Sequence, residues 1–112
     1  MYRRYEKYHN RKTVYDGKTF ASKKEADRYA ELRLLERAGK ITGLMWQVPY
    51  LLIPAQYING KCVERSCVYV ADFVYHAGDA VVVEDTKGVR TPEYIIKRKL
   101  MLKEYGIRIK EI

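Results

Sequence analysis

The 112-residue sequence predicts an α/β fold built on a mixed sheet, with the element order α-βββ-αβ behind an N-terminal hairpin. Three observations predict it. Two segments, opening at Ser22 and Thr91, carry matched helix start and stop signals. Runs rich in valine, isoleucine and tyrosine fill the interval between them at strand length. The dipeptides Asp16-Gly17, Asn59-Gly60 and Gly78-Asp79 stand where tight hairpin turns are needed.

Residues 1–20 form a basic extension. Arg3, Arg4, Lys7, Arg11, Lys12 and Lys18 outnumber Glu6 and Asp16, and Tyr2, Tyr5, Tyr8 and Tyr15 are interleaved with them. Such a stretch suits phosphate neutralisation with base stacking; a partly ordered tail whose tyrosines pack on the body explains it equally well. Asp16-Gly17, between Thr13-Val14-Tyr15 and Lys18-Thr19-Phe20, predicts a hairpin at its end.

Residues 21–112 read as one domain. Ser22-Lys23-Lys24-Glu25 is a capping box, with a helix running to Ala38 and Gly39 at the C′ position. At about 100° per residue, Tyr29 and Leu32 fall within about 40° of Glu25, so this carboxylate lies at the edge of the apolar face. Met45 to Ile53 is a strand with Gln47 and Tyr50 as its polar features; Pro49 predicts an edge position or a bulge. Val68 to Tyr75 is a longer strand with Asp72 at its middle. A further strand, Val81-Val82-Val83, leads into Glu84-Asp85-Thr86-Lys87-Gly88.

Side chains alternate along a strand, so Asp85 and Lys87 share a face while Glu84 and Thr86 point the other way. A type II′ turn at Gly78-Asp79 sets Asp72 opposite Asp85, with Cβ atoms about 4.5–5.5 Å apart. The second helix has Thr91 as N-cap and Pro92 at its first position, and runs to Tyr105 with Gly106 as its stop. Ile95, Ile96, Leu100, Met101 and Leu102 are expected to supply its buried side, and Lys97, Arg98, Lys99 and Lys103 a basic one. Ile107 to Lys110 alternates and reads as a final strand.

The net charge of +8 and pI of about 9.5 point to a polyanionic partner, nucleic acid first. No apolar run approaches the roughly 20 residues of a membrane span. No secretory leader pattern opens the chain, so it is expected to stay in the cytoplasm where it is made. Cys62 and Cys67 lack a second pair, with only His9 and His76 to complete a set, and zinc is not expected.

Two carboxylates opposed on one sheet face repel unless a cation sits between them. Oxygen ligands imply Mg²⁺ or Mn²⁺. Such an ion activates water and offsets the charge of a phosphodiester transition state. Lys87, beside Asp85 on the same face, can position the attacking water. No His or Ser stands where a nucleophilic triad would need it.

Ala71-Asp72-Phe73 followed by Asp85-Thr86-Lys87-Gly88, with Glu25 in Ser-x-x-Glu and Gln47 in the first strand, resembles the PD-(D/E)XK nuclease superfamily from about residue 20 to 112. Ala71 stands where that motif has proline. Asp85 stands for the more usual glutamate, which shortens the reach to a metal. The resemblance is closest to a small phage and prophage family suspected to include endonucleases acting on branched DNA, Holliday junctions among them.

The resemblance implies a restriction-endonuclease-like αβββαβ core and a Mg²⁺-dependent DNA endonuclease serving phage recombination or DNA processing. Glu25, Asp72, Asp85 and Lys87 would be catalytic, Asp72 and Asp85 with Glu25 would hold the metal, and Gln47 would support them. Arg3, Arg4, Lys7, Arg11, Lys12, Lys97, Arg98 and Lys99 would hold the phosphate backbone. A junction-resolving enzyme would be a homodimer presenting two sites. Two other readings stay open: a non-catalytic DNA-binding module on a nuclease scaffold, and a nuclease subunit of a transposase or packaging complex. So does the substrate, whether branched, nicked or linear DNA, or RNA.

Overall fold

The computed structural model describes residues 12–87 and 89–112. Arg3, Arg4, Lys7 and Arg11 lie outside the described residues. The described residues begin with a hairpin of β1 (Thr13–Tyr15) and β2 (Lys18–Phe20). Its turn residues Asp16 and Gly17 are both left-handed, at φ of +55° and +76°, which is the backbone an Asp-Gly pair admits most readily. Helix α1 (Lys23–Arg37) starts on the Ser22 cap, whose side chain accepts from the Glu25 N–H at 3.2 Å.

Five strands follow: β3 (Thr42–Ile53), β4 (Gln56–Ile58), β5 (Lys61–Glu64), β6 (Cys67–Ala77) and β7 (Ala80–Asp85). Helix α2 (Pro92–Tyr105) and strand β8 (Lys110–Glu111) complete the chain. Strands β4 and β5 form a separate hairpin on the Asn59-Gly60 turn. The main sheet has the order β3-β6-β7-β8, antiparallel except for β8, which runs parallel to β7. The mixed sheet and the α-βββ-αβ order are those expected. Pro49 sits on β3 at the sheet edge, where a missing N–H is tolerated.

The β6–β7 hairpin turns at Gly78-Asp79 and is bonded from Ala77↔Ala80 to Phe73↔Glu84. Asp72 and Asp85 are the next residues along in this register. Two expectations are corrected. The final strand is Lys110–Glu111, not Ile107 to Lys110, because Ile107 and Ile109 are drawn into the core under α2. In α2 the buried residues are Tyr94 and Met101, whereas Ile96 and Leu102 are 59% and 49% exposed. At about 100° per residue, Ile96 projects about 200° from Tyr94, and Leu102 about 100° from Met101. No helix among the described residues is long and apolar enough to cross a membrane.

Two clusters of buried side chains hold the sheet. Leu52, Tyr69, Ala71, Val74, Val83 and Ile109 pack with Tyr94 and Met101 of α2. Phe20, Phe73 and Tyr75 pack with Ala26, Tyr29 and Leu32 of α1. The paired residues Trp46 and Phe73 belong to the α1 cluster, yet Val48 and Ala71, two positions along, belong to the α2 cluster. Strict alternation would keep both pairs on one side. Gln47 lies between them with φ +57°, and this left-handed residue breaks the pleat.

Glu84 does face away from Asp85, but not into solvent. It is fully buried and accepts from Arg28 Nε at 2.8 Å and Arg28 Nη2 at 2.6 Å, with the Tyr75 hydroxyl donating to it as well. These bonds fasten α1 to β7 across 56 residues of sequence. Breaking a buried ion pair from one side leaves an uncompensated charge, at a cost of about 3–5 kcal/mol. Arg28→Met is therefore expected to lower the unfolding free energy by that amount, read as a lower urea midpoint at unchanged slope. The double variant Arg28→Met/Glu84→Met, which removes both charges, is expected to lose less than Arg28→Met alone.

Candidate functional site

A cleft of about 970 Å³ opens where the start of α1, the middle of β6, the exit of β7 and the start of α2 meet. Glu25, Asp72, Asp85 and Lys87 all line it. The Ser22 cap turns the first turn of α1 onto the sheet, and Glu25 arrives there only 4% exposed. Its carboxylate accepts from Gln47 Nε2 at 3.0 Å. Only the serine half of the capping box is thus used as expected, because the Glu25 side chain turns toward Gln47. Gln47 reaches it from the left-handed backbone noted above, a conformation costing on the order of 1–2 kcal/mol for a non-glycine residue.

Asp72 receives two bonds on one oxygen, from the Thr86 N–H and the Thr86 hydroxyl, both at 2.8 Å. Thr86 was expected to point away. It turns inward because β7 ends at Asp85 and alternation no longer governs the next residue. Asp85 is 3% exposed; it accepts from the Tyr69 hydroxyl at 2.6 Å and pairs with Lys87 Nζ at 3.3 Å. Lys87 Nζ also stands 4.2 Å from the Tyr94 ring centroid. Lys24 Nζ donates to the Lys87 carbonyl at 3.2 Å, which ties α1 to the β7 exit.

A family match accompanies this geometry. Residues 5–110 match the family described as "Protein of unknown function (DUF1064)". The chain belongs to the DUF1064 family. No curated protein and no solved structure matches it.

The DUF1064 site carries an excess of negative charge. Burial pushes the Glu25 carboxyl up from its ordinary range, and the charge of Asp72 adds to this. Burial likewise raises Asp72; the Thr86 N–H opposes it, and the charge of Asp85 reinforces it. Lys87 offsets Asp85 directly, whereas no ion pair to Asp72 or Glu25 is found among the described residues. Carboxylate oxygens are the right donors for Mg²⁺ or Mn²⁺. Asp72 and Asp85 suit such a cation in chemistry and in their mutual repulsion. The expected three-carboxylate set is not assembled side chain to side chain, since no group of three His, Cys, Asp or Glu positioned for a metal occurs among the described residues.

The predicted basic residues of α2 diverge. Lys97 lines the cleft while pairing with Glu93 at 3.1 Å; Arg98 bonds Glu111 at 3.1 Å; Lys99 is exposed. Successive residues step about 100° around a helix, so three in a row do not make one surface. Lys12 is exposed beside the β1–β2 hairpin. Lys24, Tyr69, Thr86 and Tyr94 belong to the cleft and were not singled out from the sequence. For the tyrosines the available signal was that a buried phenol needs a hydrogen-bond partner.

These shifts have opposite consequences for stability. Glu25 and Asp72 hold protons more tightly in the folded state than at their ordinary 4.5 and 3.8. Folding stability of the metal-free DUF1064 chain is therefore expected to fall as pH rises from those values through the raised ones. Glu111 is held down to about 2, first by the Tyr94 hydroxyl and then by Arg90. Its contribution is present above 4.5 and lost as pH falls toward 2. Unfolding midpoints measured against pH should show the first trend shrink in Asp72→Asn and the acid loss shrink in Glu111→Gln.

Proposed function

We propose that this chain is a metal-dependent DNA endonuclease of the PD-(D/E)XK kind. One observation carries the reading: Glu25, Asp72, Asp85 and Lys87, delivered by α1, β6 and the β7 exit, line one cleft. The mixed sheet and the α-βββ-αβ order agree with it. Asp72 and Asp85 would hold Mg²⁺ or Mn²⁺, with Glu25 and Gln47 completing or orienting the shell. The ion, when bound, supplies Lewis acidity and an activated water. Thr86 fixes the Asp72 carboxylate through two bonds to one oxygen. Lys87 orients the attacking water and offsets charge developing on the phosphate. Lys24 and Lys97 at the cleft, together with the basic N-terminal residues, would meet neighbouring phosphates.

Cutting both strands of a duplex or a branched junction calls for two sites, and a homodimer provides them. The β4–β5 hairpin supports this part of the proposal, since Tyr57, Ile58 and Val63 on it are 64%, 62% and 50% exposed. Exposed apolar side chains on one hairpin are available to a second copy of the chain. The work would be done in the cytoplasm. A second reading, a non-catalytic DNA-binding module, draws on the absence of a three-ligand cluster among the described residues.

The test is a panel of linear, flapped and four-way DNA incubated with Mg²⁺, Mn²⁺ or chelator. Cleavage that depends on the divalent ion is expected. Asp85→Asn should abolish it with DNA affinity nearly unchanged, and Lys87→Ala should lower it by roughly 10²–10³-fold, as loss of an electrostatic stabiliser does. Undiminished cleavage by Asp85→Asn would sink the site assignment. Tight DNA binding by a protein that takes up no Mg²⁺ in calorimetry would favour the binding module.

A further inference from the structure

Lys87 sits on the segment that leaves the sheet, where nothing in the strand itself fixes a long flexible side chain. Its ammonium nonetheless has two neighbours, Asp85 Oδ1 at 3.3 Å and the face of Tyr94 at 4.2 Å from the centroid. An aromatic face attracts a cation through its quadrupole, and more strongly where water is partly excluded. The Lys87 side chain is 29% exposed, so this contact is partly desolvated.

Tyr94 is itself held at both ends. Its backbone N–H donates to the Thr91 cap at 3.1 Å, and its hydroxyl donates to Glu111 Oε2 at 2.7 Å. Glu111 is gripped in turn by Arg90 Nε at 2.7 Å and Arg98 Nη1 at 3.1 Å. Glu111 is also the residue paired with Asp85 in the parallel β7–β8 ladder, and the Ile112 N–H donates to the Asp85 carbonyl at 2.9 Å. The contacts close a circuit from Asp85 to Glu111, Tyr94, Lys87 and back to Asp85.

We infer that Tyr94, locked by Glu111, is a positioning residue that seats the Lys87 ammonium beside Asp85. The inference rests on the nuclease reading for its catalytic consequence, but the seat is a property of the folded chain and can be measured without substrate. Core packing alone would also bury Tyr94, which is 5% exposed within the cluster under α2. A packing role would not tie the environment of Lys87 to the ring.

The test uses the full chain with ¹³C-labelled lysine. In the wild type, ring current should move the Lys87 ε-methylene protons upfield, and Tyr94→Phe, which keeps the ring but loses the bond to Glu111, should keep a reduced shift. Tyr94→Leu should return them to ordinary positions, and Glu111→Ala should reduce the shift by freeing the ring. In cleavage assays Tyr94→Leu should lower kcat roughly tenfold, within the range of a partly desolvated cation–π contact, with KM for DNA unchanged. Should Tyr94→Leu fail to fold, ring-fluorinated phenylalanines at position 94 keep the shape while weakening the quadrupole, and the rate should fall with each added fluorine. An unshifted Lys87 in the wild type, or the same shift in Tyr94→Leu, overturns the seat. A normal kcat in Tyr94→Leu, or a rate indifferent to fluorination, overturns its positioning role. If the wild type cleaves no DNA under any metal condition, the nuclease reading fails while the methylene shifts still decide the seat.

Discussion

Glu84 is buried among aromatic and aliphatic side chains, and a carboxylate there is tolerable only because the Arg28 guanidinium meets it with two nitrogens. That pair fastens the first helix to β7, beside the aromatic and aliphatic cluster that packs α1 on the sheet. Arg28 is one helical turn beyond Glu25, so anchoring Arg28 to β7 also delivers Glu25 to the edge of the cleft. Adjacent carboxylates on β7 thus do opposite jobs on opposite faces. Glu84 holds the helix that carries one acid, and Asp85 presents the acid at the strand's own end. The ion pair thus supports the site from outside it, on the opposite face of β7.

Much of this was legible because the signals are local. The Ser22 and Thr91 caps, the Asp16-Gly17 and Asn59-Gly60 turns, and the Gly78-Asp79 hairpin each follow from a few residues whose backbone preferences are strong. The hairpin register then brings Asp72 and Asp85 to one level, and alternation separates Asp85 from Glu84. What was not legible depends on residues far apart in sequence. Alternation could say that Glu84 faces away from Asp85, but not that Arg28 waits there. It failed at Thr86, where the strand has ended, and at Gln47, where the backbone is left-handed. Ile96 and Leu102 of α2 stay exposed because its hydrophobic residues exceed the one stripe that the sheet can cover.

The two departures from regular strand geometry fall beside the same carboxylates. Gln47 occupies a costly backbone conformation and bonds Glu25, while Thr86 turns out of the pleat and bonds Asp72. Strain and broken pattern at one place are what a fold shows where something other than stability has shaped it. The proposed metal chemistry gives that pattern a purpose, since each departure supplies a donor that orients an acid.

The charges lead to the same place from another side. Lys87 lies against Asp85, but burial and mutual repulsion leave Glu25 and Asp72 reluctant to ionise. A protein selected only for stability would place an amide or an apolar residue at such positions, because an uncompensated buried charge costs more than it contributes. Keeping the acids makes sense if a cation is present for part of the working cycle, since its charge converts a repulsive set into a bound one. Lys87 eases the repulsion only in part: it pairs with Asp85 at 3.3 Å and its charge also reaches Asp72, yet burial and the charge of Asp85 still leave Asp72 raised. Asp72, raised by burial and by the charge of Asp85, is therefore where a divalent ion held with Asp85 has the most free energy to contribute.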